Sequence, residues 1–358
     1  MADINGLRLY PEEDVKAIAD AIRLANSGTS SYTLSQMPSA ISQLPTPGTG
    51  EKTMLLSCLN NNYQTSLISY CINNIQLTKV KPYAFYYYSS TSPALSQANF
   101  TKVSYIGSSA FYYTSYWGST LSFPNCTIVD RHAFAEVRDN ITTLSFPNCT
   151  YVGQGAFASF NSLTSIYFPK CGFIGGGAFY ASATNNVTVT SLDFPECMII
   201  KDMSEKIFNL ISNDGAAFAN YTYVTNISFP KLEIIDGSTF YKVGTNATGY
   251  VSCYFPVLSL IGSSAFTYAK VSTLSFPMAS EINYYAFASC YNLLSLYLPG
   301  SFVCSLRTTT AFASTPISTY TTSTGGVYGS VYVPSDLLAT YKSATNWVTY
   351  SARMVAIT

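Results

Sequence analysis

The sequence predicts an α/β solenoid of about ten coils of 21–26 residues each, with short strands forming one narrow sheet. Three observations lead there. The dipeptide Phe-Pro recurs at Phe123, Phe146, Phe168, Phe194, Phe229, Phe255 and Phe276, then degenerates to Leu298-Pro299 and Val333-Pro334. A second beat, Ala-Phe, keeps a fixed phase: Phe123 to Phe134, Phe146 to Phe157, Phe168 to Phe179, Phe255 to Phe266 and Phe276 to Phe287 are each eleven residues apart. Before each Phe-Pro the chain alternates, as in Leu121-Ser122-Phe123 and Leu274-Ser275-Phe276, which is the period of a strand with one buried face.

Taken in order, the chain opens with a helical hairpin over residues 1–44. Val15, Ile18, Ala19 and Ile22 share one helical face, Glu12, Glu13 and Asp14 fill the first turn, and Gly28 closes the helix. Met37, Ile41 and Leu44 mark a second short helix with Pro38 near its start. Residues 45–53, with Pro45, Pro47, Gly48 and Gly50, read as a linker.

The solenoid then occupies residues 54–334. In each coil Pro ends the strand by removing a ladder donor. Seven residues after the strand Phe, or at the matching place, stand Gly107, Asp130, Gly153, Gly175, Asp236, Gly262 and Asn283. These types tolerate positive φ, so this position is expected to be a left-handed corner. The following Ala-Phe is expected on a short helical turn. A lone coil buries roughly 6–10 kcal/mol of side chain, less than its ordering entropy of about 20–40 kcal/mol, so coils must stack.

Between Phe194 and Phe218 the eleven-residue phase lengthens to 24, placing an insert at about 201–213, where Met203, Ile207, Leu210 and Ile211 have helical spacing. Residues 335–358 form a C-terminal helical cap opened by Ser335 as N-cap, with Tyr341, Trp347 and Ile357 available to cover the last coil.

The unit resembles the BspA-like leucine-rich repeat, close to L-x-x-I-x-F-P-x-C-x-x-I-G-x-x-A-F-x-x-C, and residues 163–179 nearly match it. The resemblance implies a right-handed leucine-rich-repeat solenoid displayed for adhesion by bacteria or parasites. The first helix and the Met37-Pro-Ser-Ala-Ile41 stretch resemble a small module of phage virion-associated proteins. That implies a docking element for a partner; a cap for the solenoid is the other reading of residues 1–44.

Composition narrows the function. Charged residues make up 10% of the chain and Lys+Arg equal Asp+Glu at 18 each, so the basic footprint of a nucleic-acid binder is missing. Tyr (30) and Phe (22) supply much of the 48% hydrophobic content, no run of eighteen apolar residues exists, and membrane insertion is not expected. The start, with Asp3, Arg8, Glu12, Glu13 and Asp14, does not read as a secretory signal.

Chemistry is offered sparingly. The single histidine, His132, sits in a coil corner whose counterparts are Gln154-Gly155 and Ser263-Ser264, so no catalytic role is expected. Cys126, Cys149, Cys171 and Cys197 each follow a strand Phe by three residues, where other coils carry Leu232, Leu258 and Ala279; they read as a buried apolar ladder. Nine cysteines, an odd number, fit free thiols. No catalytic group, metal site or cofactor is expected.

What remains is the outward residue before each strand Phe: Ser122, Ser145, Tyr167, Asp193, Ser228, Tyr254, Ser275, Tyr297 and Tyr332. Tyr gives stiff contact area and Ser adaptable hydrogen bonds, a composition suited to recognition. The sequence therefore points to a non-enzymatic binding protein, at the cell surface or outside the cell, using Tyr167, Asp193, Tyr254, Tyr297 and Tyr332 on a host or cell-surface protein or glycan. A phage tail or receptor-binding virion protein is the alternative.

Overall fold

The computed structural model describes residues 3–4, 7–8, 78–89, 95–97, 100–115, 117–137, 140–184, 186–201, 216–318 and 327–357. Of the N-terminal hairpin, only the antiparallel strand pair Asp3–Ile4 and Leu7–Arg8 is described. The helices expected within residues 11–44, the linker, the first coil and the body of the insert lie outside the described residues.

The solenoid has two walls of parallel strands where one narrow sheet was expected. The strands of this first set run from Thr120–Ser122 to Ser330–Pro334 and fall into three separate sheets of three each, the last extended to four by the C-terminal strand Met354–Ile357. A second set, from Lys79–Val80 through Ile128–Val129 and Ile234–Ile235 to Ser305–Leu306, forms one unbroken ten-stranded sheet. Its members are two or three residues long, and each turns an apolar, often β-branched residue inward; Val129, Val152, Ile235 and Ile261 point into the core, while outward neighbours include Lys79, Glu281 and Ser305. The register advances one coil per step, as in Ile106↔Val129↔Val152↔Ile174↔Ile200↔Ile235.

Two columns of phenylalanine fill the space between the walls. Phe123, Phe146 and Phe168 stack at 5.4 and 4.9 Å between ring centroids. Phe111, Phe134, Phe157 and Phe179 stack at 5.0, 5.4 and 5.3 Å. The columns meet edge to face, Phe157 lying 72° from Phe168 at 5.4 Å, so each ring uses both favourable aromatic geometries. Phe179 stacks directly on Phe218 at 5.2 Å, and Gly175 pairs with Lys201 in the long ladder. Lys201 thus belongs to the strand Ile199–Lys201 and not to the insert, and the ring stack is continuous from Phe179 to Phe218.

The corner differs from expectation. Left-handed φ falls two residues later than the Gly/Asp/Asn position, at Ser109, His132, Gly155, Gly177, Ser238, Ser264 and Tyr285. The earlier glycines serve close approach instead. A Cβ on Gly153 would stand 2.6 Å from Arg131 N, and one on Gly175 would stand 2.4 Å from Gln154 N. In most coils a second left-handed residue follows four positions on, at Tyr113, Glu136, Ser159, Lys242, Tyr268 and Ser289. The Ala-Phe segment between them is a run of tight turns, with a 3-10 helix only in the last coil, at Thr309–Phe312. Backbone donors alternate: His132, Phe134 and Glu136 N–H bond to the next coil, while Ala133 and Ala135 N–H close turns within their own. This wall, too, is therefore a ladder.

Hydroxyls add a further set of bonds. Thr127 and Thr150 Oγ1 donate to the carbonyls of Ser104 and Thr127 one coil back at 2.9 and 3.1 Å, and Thr142 and Thr164 do the same to Ser119 and Thr142 at 3.1 Å each.

The C-terminal cap comprises the helix Leu338–Ser343, the 3-10 helix Trp347–Arg353 and the strand Met354–Ile357, which pairs with Ser330–Pro334. Leu337, without a side-chain cap bond, replaces the expected Ser335 at the N-cap. Tyr341 Oη accepts from Cys304 N–H at 2.9 Å, Trp347 Nε1–H donates to Cys304 O at 2.7 Å, and Asn346 Nδ2 donates to Leu306 O at 2.8 Å. Side chains thereby satisfy backbone groups that another coil would otherwise meet.

Candidate functional site

Backbone register sets the outward column. Ser122, Ser145 and Tyr167 align in the first sheet, Asp193, Ser228 and Tyr254 in the second, and Ser275, Tyr297 and Tyr332 in the third. All five residues singled out in the sequence therefore lie on one face, because strand alternation sends Leu144, Leu192 or Leu296 inward and its neighbour outward. Tyr167 and Tyr254 are 53% and 56% exposed, and Asp193 is exposed as well. Tyr297 and Tyr332 are half-buried because their rings lie on each other, 4.4 Å apart and 10° from parallel.

The sequence reading missed two interruptions in this wall. The first sheet ends at Ser165–Tyr167 and the second at Ser252–Tyr254, each at an exposed tyrosine. At these strands the inward residues, Ile166 and Cys253, are only partly buried, whereas Leu121, Leu144, Leu192, Ile227, Leu274 and Leu296 are buried. A trace exists in the sequence: both interrupted strands read Tyr-Phe-Pro, at Tyr167-Phe168-Pro169 and Tyr254-Phe255-Pro256. The site is therefore a polar, weakly charged strip with two exposed rings at its discontinuities and a ring pair near its C-terminal end.

Elsewhere the chemistry is structural. Cys126, Cys149 and Cys171 are buried, and each Sγ donates at 3.2 Å to the carbonyl two residues on. Burial pushes the Cys149 and Cys197 thiols up to about 12. His132 occupies the left-handed corner with its ring against Gly155, and burial, with Arg131 adding to it, lowers its pKa. Among the described residues no group of His, Cys, Asp and Glu is arranged to hold a metal ion. No helix of the described residues is long and apolar enough to cross a membrane.

Stacked coils, walls of parallel strands, a phenylalanine core and a capped last coil define a repeat protein whose accessible chemistry is a surface. The repeat is that of the BspA type Leucine rich repeat region, matched in six copies over residues 57–139, 78–213 and 211–325, and the chain belongs to this family. Two solved structures align with it. One is a leucine rich cell surface protein from Faecalibacterium prausnitzii, 16% identical over 81% of each chain with a TM-score of 0.35. The other is a leucine-rich repeat protein from Bacteroides ovatus, 14% identical over 79% of this chain and 88% of that one, with a TM-score of 0.30. No curated protein is similar enough in sequence to count as a relative.

Proposed function

We propose that this is a non-enzymatic recognition protein, displayed at a cell surface for adhesion, that binds a protein or glycan through Tyr167, Asp193, Tyr254, Tyr297 and Tyr332. The observation that carries the reading is the outward column itself: the ladder register aligns these side chains on one face, with Tyr167 and Tyr254 more than half exposed. Exposed tyrosines spaced among serines offer rigid contact area at low entropic cost, with hydroxyls for polar partners. Membership of the repeat family supports surface display, and the buried thiols and corner-bound His132 leave recognition as the simplest use of the molecule.

The test is binding of the full chain to panels of cells, matrix proteins and glycans, beside a chain with Tyr167, Tyr254, Tyr297 and Tyr332 changed to Ser. Serine already fills this column at Ser122, Ser145, Ser228 and Ser275, so the fold should survive. Binding by the parent that is lost in the folded variant is the expected result. Equal binding by both rules out this face.

A further inference from the structure

The ten-stranded belt has an outward column of its own. Ladder register places Lys79 at one end of it and Glu281 near the other, and the seven outward residues between them, from Tyr105 through Phe173 to Leu260, are all aliphatic or aromatic. Ile128 is 38% exposed and the other six are half-buried, with Tyr151 and Phe173 stacked at 5.0 Å and 6°. The exposed Met198 adjoins Ile199 beside the column. Strand formation does not by itself demand apolar side chains here, because the other wall sets Ser122, Ser145, Ser228 and Ser275 at its outward positions. A sheet face turned to water ordinarily carries polar residues, and a continuous apolar strip marks a surface that another body covers.

The column matches itself when reversed. Phe173 is the fifth of the nine residues from Lys79 to Glu281, so a two-fold axis through it lays a second copy face to face and antiparallel. Phe173 then meets its own counterpart, Tyr151 meets Ile199, Ile128 meets Ile234, and each Lys79 opposes a Glu281. A parallel arrangement would oppose Lys79 to Lys79 and Glu281 to Glu281, and facing like charges disfavour it. Within its own chain Glu281 also holds Arg307 at 2.5 Å and accepts from Asn283 Nδ2 at 3.0 Å, so the end charges set direction more than affinity.

We propose that this column is the interface of a symmetric, antiparallel dimer of the chain. Nine strands spaced about 4.8 Å make a column roughly 40 Å long. Contact about 20 Å across would bury about 800 Å² per copy, the size of a stable interface. A central Phe173, apolar arms of equal length and opposite end charges are what a surface needs to match itself; an unrelated partner requires none of these symmetries. The tyrosine columns lie on the opposite wall, so the dimer turns both of them outward and makes a bivalent binder. The interface itself does not depend on what those columns bind.

Sedimentation velocity of the full chain from about 1 to about 100 µM tests this. The expected result is a dimer whose self-association is at least tenfold weaker in Phe173→Glu; Glu281 already stands in the same outward column, so a carboxylate there is compatible with the strand. A Lys79→Glu chain and a Glu281→Lys chain should each self-associate at least threefold more weakly than the parent. Mixed together they should form a dimer tighter than either alone, because only the mixture restores both opposite pairs. Phe173→Cys should be joined into a covalent dimer by a short bismaleimide beyond the background of the parent, whereas Tyr105→Cys should need Leu260→Cys as its partner. A parent that stays monomeric at about 100 µM, the result if another segment of the chain or a different partner covers the column, overturns the proposal. So does a dimer unaffected by Phe173→Glu, a mixture no tighter than its components, or a Phe173→Cys chain that fails to cross-link.

Discussion

The Trp347 indole N–H donates to the Cys304 carbonyl at 2.7 Å, while Tyr341 Oη accepts from the Cys304 amide, so two cap side chains occupy both backbone groups of one buried residue. Trp347→Phe keeps most of the packing and orphans the carbonyl. It should lower unfolding free energy by about 1–3 kcal/mol. Urea denaturation of the two chains measures this, and an unchanged midpoint would show that the cap bond contributes nothing.

Coil spacing makes a contrast between glycines. An alanine Cβ at position 175 would lie 2.4 Å from Gln154 N, whereas at position 118 it would meet nothing within 4 Å and face only the strain of φ +83°. Gly175→Ala should destabilise by about 3 kcal/mol through overpacking, against about 1 kcal/mol for Gly118→Ala. Thermal unfolding of both variants provides the comparison; equal losses would refute the close-approach reading.

The cysteine ladder links stability to alkaline pH. Burial holds the Cys149 and Cys197 thiols neutral up to about 12, from an ordinary value of 9.0. Above pH 9 the unfolded chain releases these protons and the folded chain keeps them, so their contribution is complete below pH 9 and declines as pH rises toward 12. Replacing both by Ala, the residue found at the matching Ala279, should flatten that part of the stability curve. Urea midpoints from pH 8 to 11 decide it; parallel curves would exclude these thiols as the cause.

Ligand capture by the sheet-face column should be nearly indifferent to salt. Asp193 is the one charged residue among Ser122, Ser145, Tyr167, Asp193, Ser228, Tyr254, Ser275, Tyr297 and Tyr332. Screening then has few contacts to weaken, and Kd should change by less than about threefold between 50 and 500 mM NaCl. A steep salt dependence would place the contact elsewhere on the molecule.

The sequence revealed most clearly whatever repeats in one dimension. Phe123 and Phe134 announce both ring columns, and the offset of Cys126 from Phe123 places the thiols in the core. What it concealed arises between coils. Ile128–Val129 is too short to show alternation, so its strand becomes visible only when ten such pairs lie side by side. Gly153 and Gly155 look alike in sequence, yet the first is needed for contact with Arg131 and the second for its left-handed backbone. The Thr150 hydroxyl looks like an ordinary polar surface group until Thr127 O is found 3.1 Å away in the preceding coil. At the candidate site, strand alternation indicated which way Tyr167 and Tyr254 face. It could not disclose the interruptions beside them, which depend on how successive coils sit on one another.

Those interruptions give the molecule a mechanical character. One wall is a continuous ten-stranded belt, while the opposite wall is cut after Tyr167 and again after Tyr254. At both cuts the coils stay tied through the turn wall, by Phe179 N–H to Ala217 O and by Phe266 N–H to Ala286 O, so the belt and the turn wall together act as a spine and the cut wall as three plates carried on it. A partner lying along the tyrosine column would meet three plates with seams at two fixed points, each marked by an exposed tyrosine.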